Sequence, residues 1–199
     1  AMSIKVAESA GFCFGVNRAV ELVEQAAVAG KRVVTLGPII HNRHAVAHFA
    51  RMGVHVISSP EEASPEDTVV IRSHGVTRAV YEQLQQRQVE IVDATCPFVK
   101  RIHGIVSNAE AEGRLPVIIG TPTHPEVEGI AGWCSECRVF ESAEELQKWA
   151  ESVDTAPDLP ICMVCQTTST ESLWKSCVKI AKKQFTQSQI GRASCRERV

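Results

Sequence analysis

Short β-branched runs alternate with helix-period segments along nearly the whole chain, and this alternation narrows the choice of fold more than any other feature. Arg32-Val33-Val34-Thr35-Leu36, Thr68-Val69-Val70-Ile71, Glu90-Ile91-Val92-Asp93 and residues 115–119 read as buried-type strands. Lys5-Val6-Ala7-Glu8, Val54-His55-Val56-Ile57, Arg138-Val139-Phe140 and residues 161–164 read as further strands. Between them, apolar spacing predicts helices through Val16, Ala19, Val20, Val23 and Ala27, and through Val46, Phe49 and Met52. Others are predicted over 77–88, from Pro97 through Val99, Ile102, Ile105 and Val106, over 127–132 and 143–150, and through Leu173, Val178 and Ile180. Gly30 is placed to cap the first helix, and Pro97 suits a first helical turn. Such βα alternation with short loops predicts an α/β fold of mostly parallel sheets flanked by helices. With 199 residues, 44% of them hydrophobic, the chain can build one large domain or two small ones.

Ligands of open α/β sheets gather at the carboxyl ends of the strands. Cys13, His41, His74, Cys96, His124, Glu126 and Thr167 all fall just past a predicted strand. Any one of these histidines alone reads as an ordinary surface residue, and His44, His48, His55 and His103, inside helices or strands, keep that reading. The strand-end set has a chemical logic of its own. Imidazoles and a threonine hydroxyl suit a phosphate-bearing ligand, and Glu126 is placed to carry protons. Basic residues are scarce in these loops, so histidines and helix N-termini would have to hold the anion. Cys13 lies between Gly11 and Gly15, where a strand turns into a helix whose N-terminus favours a thiolate. It suits a nucleophile, a metal ligand or simply a small residue in a tight turn.

A formal net charge of -2 with no Lys/Arg cluster argues against a nucleic-acid surface. No run has the apolar length of a membrane span and the N-terminus lacks a signal-peptide pattern, so a cytoplasmic protein without a membrane partner is expected. Eight cysteines in that setting point to reactive or metal-bound thiols rather than a disulfide framework. Two competing readings remain. Cys134-Ser135-Glu136-Cys137 and Cys162-Met163-Val164-Cys165 suggest a zinc-binding module. Against it, the gap between the pairs is long, and Cys162 and Cys165 lie on a predicted strand, where positions three apart face opposite ways. A metal-free phosphometabolite hydrolase or isomerase using Glu126 and a histidine explains the loops but leaves Cys13 and Cys96 idle.

Six motifs in order carry a specific resemblance: Gly11-Phe12-Cys13-Phe14-Gly15-Val16, His41-Asn42, Arg72-Ser73-His74-Gly75-Val76, Asp93-Ala94-Thr95-Cys96-Pro97, Thr123-His124-Pro125-Glu126-Val127-Glu128-Gly129 and Gln166-Thr167-Thr168. Together they resemble the 4-hydroxy-3-methylbut-2-enyl diphosphate reductase family, the iron–sulfur enzymes that close the methylerythritol phosphate route to isoprenoids. The resemblance implies similar α/β lobes around a central cluster, with the third lobe of the family missing. It divides the chain into an N-terminal strand (1–12) that would pack with that third lobe, a first lobe (13–96), a second lobe (97–189) and a tail (190–199). It implies a 4Fe-4S cluster held by three cysteines, with Cys13 and Cys96 as ligands, and one iron open to substrate. Glu126 would supply a proton with Thr167 near the substrate hydroxyl, while His41, His74 and His124 would contact the diphosphate. Reduced ferredoxin or flavodoxin would supply electrons, and the products would be isopentenyl and dimethylallyl diphosphates.

The family's third cysteine opens a Cys-x-Ala-Thr-x-x-Arg-Gln pattern. Here Cys195 falls near that place, but no Ala-Thr follows it and no Gln follows Arg198. Residues 190–199 resemble one reading frame of a sequencing adapter, so a non-native tail and a catalytically inactive fragment are expected. A degenerate third-ligand segment is the alternative.

Overall fold

The structure, a computed structural model, describes residues 11–40, 42–154 and 156–191. Lys5 to Glu8, His41 and Cys195 lie outside the described residues. The first lobe holds a sheet of β1 (Arg32–Leu36), β2 (His55–Ile57), β3 (Asp67–Ile71) and β4 (Glu90–Asp93), in the order β2-β1-β3-β4. Its helices are α1 (Phe14–Val28), α2 (Arg43–Arg51) and α3 (Arg78–Gln86). The second lobe repeats the plan with β5 (Leu115–Ile119), β6 (Arg138–Phe140), β7 (Ile161–Cys165) and β8 (Ser188–Ile190), in the order β6-β5-β7-β8. Its helices are α4 (Pro97–Ala111), α5 (Pro125–Ala131), α6 (Ala143–Ser152) and α7 (Glu171–Gln184). Every strand pair in the two sheets is parallel.

Burial explains the continuous apolar runs. All residues of β3 and β7 are buried, because helices cover both faces of each sheet. In the second lobe, Ile161, Met163 and Cys165 face a core with Leu146 of α6 and Trp174 and Cys177 of α7. Cys162 and Val164 face the other way, toward Ile102 and Val106 of α4 and Ile130 of α5. In the first lobe Val70 packs with Ala19 and Val23 of α1, while Val69 and Ile71 pack with Leu84 of α3.

Side-chain caps start the helices where their residues allow it. Asn42 accepts from the His44 and Ala45 amides, Thr77 from Val80, Ser142 from Glu145 and Thr170 from Leu173; each such cap stabilises by about 1 kcal/mol. Gly30 falls just past the end of α1 at φ +75°, the conformation that favours glycine there. One element has no counterpart in the sequence reading: β8 pairs with β7 through Ile161–Ser188, Cys162–Gln189 and Met163–Ile190. Ile190, the first residue of the segment set apart as a tail, therefore lies in the second sheet, and the Gly191 amide donates to the Met163 carbonyl.

The lobes meet where the segment after β3 touches the end of α5. The Arg78 amide donates to the Gly132 carbonyl, and the Trp133 indole N–H donates to the Val76 carbonyl at 2.9 Å. The Arg78 guanidinium lies over the Trp133 ring and donates to Ser107 Oγ and the Trp133 carbonyl. A Cβ on Gly132 would stand 2.3 Å from Thr77 Cβ, so the backbones approach as only glycine permits.

Candidate functional site

Cys13 and Cys96 occupy equivalent places: each is the N-cap of a 15-residue helix, α1 and α4 respectively. Neither side chain closes a cap hydrogen bond, so neither sulfur is committed to its own helix. Arg18 of α1 brings the two helix starts together by donating to the Thr95 and Asp93 carbonyls at 3.3 and 3.4 Å. The Cys96 amide donates to the Ser73 carbonyl at 2.9 Å, tying the loop after β4 to that after β3. Gly15 completes the approach, since a Cβ there would lie 2.7 Å from Cys96 Sγ.

The two cysteines line one cavity of about 330 Å³ together with Gly15, Val16, Ser73, His74, Val99, Glu126, Thr167 and Thr168. Glu126, only 3% exposed, sits in the first turn of α5. One carboxylate oxygen accepts from the Thr167 amide at 2.6 Å and the other from Thr167 Oγ1 at 2.8 Å. His124 caps the same helix: its Nδ1 accepts from the Glu126 amide at 3.1 Å. That bond leaves the neutral imidazole's proton on Nε2, available for donation. The His124 ring meets His74 edge-on at 5.5 Å between centroids. Gln166, by donating to Thr168 Oγ1 at 2.9 Å and accepting from the Thr121 amide, orients the loop that carries Thr167.

The structure thus brings together Cys13, Cys96, His74, His124, Glu126 and Thr167 from five loops. Ser73, Val99 and Thr168 join the lining, and Arg18 is the tether that the sequence reading missed. Ser73 and Thr168 lie inside quoted motifs, whereas Arg18 carries no local signal, since its partners are 75 and 77 residues away. Arg72 does not join the lining; its guanidinium packs beneath Gly37, and burial lowers its pKa.

Donor chemistry and space favour a polynuclear group over a single ion. Among the described residues no three His, Cys, Asp or Glu side chains converge to hold one metal ion. The cavity instead offers soft thiols at two helix N-termini, whose partial positive charge suits an electron-rich thiolate-bound group. The zinc reading meets a geometric obstacle, because Cys162 packs with Cys134 and Cys137 while Cys165 lies in the core on the opposite face of β7.

The sequence matches the LytB protein family over residues 4–198. A 4-hydroxy-3-methylbut-2-enyl diphosphate reductase of Thermoanaerobacter sp. (strain X514) is 39% identical over 189 residues, covering 91% of this chain and 62% of that protein. One from Geobacter sulfurreducens is 41% identical over 180 residues, covering 89% and 61%. A solved structure of (E)-4-hydroxy-3-methyl-but-2-enyl diphosphate reductase, described as the terminal enzyme of the non-mevalonate pathway, has a TM-score of 0.81 at 36% identity, covering 96% of this chain and 68% of that one. The E-1-hydroxy-2-methyl-but-2-enyl-4-diphosphate reductase of Plasmodium falciparum shares the fold at a TM-score of 0.83 and 22% identity, covering 94% and 58%. The chain spans about 62% of the length of the first of these relatives.

Proposed function

This chain belongs to the LytB family, and from that premise we propose that its site serves the reductive dehydroxylation of (E)-4-hydroxy-3-methylbut-2-enyl diphosphate to isopentenyl and dimethylallyl diphosphates. The observation that carries the reading is the buried Glu126–Thr167 pair in a cavity shared with Cys13 and Cys96. Cys13 and Cys96 would hold an iron–sulfur cluster, with a third cysteine as in the family; Cys195, the candidate for it, lies outside the described residues. When bound, the cluster supplies electrons and a Lewis-acidic iron. Reduced ferredoxin or flavodoxin is the proposed electron source.

This chain's residues would do the remaining work. Glu126 delivers a proton to the departing hydroxyl, and the two hydrogen bonds from Thr167 fix its carboxyl group in place. His124, with its Nδ1 engaged, offers Nε2–H to the diphosphate, and His74 stands beside it. His41 is proposed as a third diphosphate contact on the motif alone. Seclusion of Glu126 in the protein interior limits competing exchange with water.

Glu126→Gln in the full-length protein tests the assignment. The substitution keeps size and removes the ionisable proton, so turnover should fall ~10²–10⁴-fold while substrate binding stays within a few-fold. Unchanged turnover in reconstituted Glu126→Gln protein would refute the role. In the 199-residue chain the proposal is that turnover is absent, checked by anaerobic reconstitution with iron and sulfide; robust turnover would establish Cys195 as a working ligand.

A further inference from the structure

The C-x-x-C pair at 134 and 137 takes no part in the proposed reaction, yet it differs from the other cysteines of the second lobe. Cys162 and Cys177 are fully buried, and burial pushes both thiols up, which makes them inert. Cys134 and Cys137 are half-exposed, in the bend between α5 and β6, and lie on the same side of the second core. Glu110 grips the residue between them, accepting from both the amide and the hydroxyl of Ser135. The bend is therefore held in one shape while both sulfurs stay near the surface.

We propose that Cys134 and Cys137 form a redox-active dithiol, a modification site separate from the cavity of Cys13 and Cys96, which a low-molecular-weight disulfide of the glutathione class closes to an intramolecular disulfide. The roles within the pair follow from their contact. The Cys134 thiol hydrogen-bonds to Cys137 and, with Arg138 adding positive charge, draws the Cys137 pKa down to about 7, while Cys134 itself is pushed up. Cys137 thiolate attacks one sulfur of the small disulfide, forming a mixed disulfide and releasing one thiol. Cys134 then loses its proton and attacks Cys137 Sγ, forming the internal bond and releasing the second thiol. Two protein thiols are oxidised and one disulfide is reduced to two thiols.

The bond would close the bend next to Trp133, whose indole N–H and carbonyl tie the two lobes together. Oxidation at 134 and 137 would thus brace the joint on which α5 and Glu126 are carried.

The inference does not depend on the reductase assignment, and its test needs no turnover. The 199-residue chain, with a chelator present, is equilibrated across a series of reduced-to-oxidised glutathione ratios. It is then acid-quenched, alkylated and mapped by peptide mass. The expected result is a Cys134–Cys137 disulfide whose population rises with the oxidised fraction, equally in wild type and in Cys162→Ala. Cys134→Ser should stop at a Cys137–glutathione mixed disulfide. The proposal is overturned if both thiols stay alkylatable at every ratio, if either bridges to Cys162 instead, or if Cys137 accumulates glutathione in the wild type without internal closure.

Discussion

A methyl group at position 15 would stand 2.7 Å from Cys96 Sγ, inside any tolerable contact. Gly15→Ala has an opposing local benefit, since alanine is favoured over glycine within a helix by up to about 1 kcal/mol. Fold stability measured by urea denaturation should therefore change by no more than about 1 kcal/mol, while the Cys96 thiol is pushed from its seat. Iron and sulfide incorporation should drop several-fold, and the alkylation rate of Cys96 should rise; unchanged values would separate Gly15 from the site. His103 illustrates the reverse case, a residue at the site's back wall with a structural effect. It stacks on Trp133 at 5.1 Å, lies against Gly75, and burial pulls its pKa from 6.5 to about 4, with Asp93 opposing and Lys100 assisting. Its folded-state pKa is below the unfolded value, so the neutral form is favoured by folding. Above about pH 6.5 no penalty applies; as pH falls toward about 4 the unfolded chain takes up a proton that the folded chain does not. Stability should fall by about 1.4 kcal/mol per pH unit in that window, or about 2 kcal/mol between neutrality and pH 5. His103→Phe keeps an aromatic stack, so the difference between denaturation curves at pH 7.5 and 5 (roughly the ends of the useful window) should shrink by that amount.

Arg18 is the side chain that turns two separate helix starts into one cavity. Arg18→Ala removes both donors to the carbonyls of Asp93 and Thr95. Bonds from a charged donor contribute about 1.5–3 kcal/mol when well formed, and these are long, so a loss of about 1 kcal/mol is expected. The sharper effect should be on iron incorporation, which needs α1 and α4 side by side; an unaffected cluster would show that α1 is held by packing alone. None of this coupling was legible along the chain, because its partners are distant in sequence. What could be read were features with a local cause. Strands such as β3 and β7 announce themselves by continuous apolar character, and α4 by Pro97 and the spacing of Val99, Ile102 and Val106. The strand-end rule placed Cys13, Cys96, His74, Glu126 and Thr167 before any coordinates did, because parallel sheets leave their ligands nowhere else to gather. β8 escaped because Ser188, Gln189 and Ile190 carry no alternation; they are a strand only through the ladder that β7 offers.

At the scale of the molecule, the cavity depends on the angle between two lobes that share few residues. α5 carries Glu126 near its start and ends at Gly132, where a Cβ would come within 2.3 Å of Thr77 Cβ and 3.0 Å of its Cα. The opposing surface cannot yield cheaply, since Thr77 is the N-cap of α3 and follows directly on the His74 loop. Gly132→Ala should therefore act as a wedge, destabilising by about 1–3 kcal/mol as overpacking does. It should also shift Glu126 relative to His74 without altering either. Thr77→Gly removes the struck atoms, and glycine at an N-cap costs only a few tenths of a kcal/mol relative to threonine. The double variant should recover most of the stability lost in Gly132→Ala, giving a coupling energy of about 1–2 kcal/mol in a denaturation cycle. Additive losses would mean that the lobes do not bear on each other at this contact, and that the joint rests instead on Arg78 and the Trp133 indole bond to Val76.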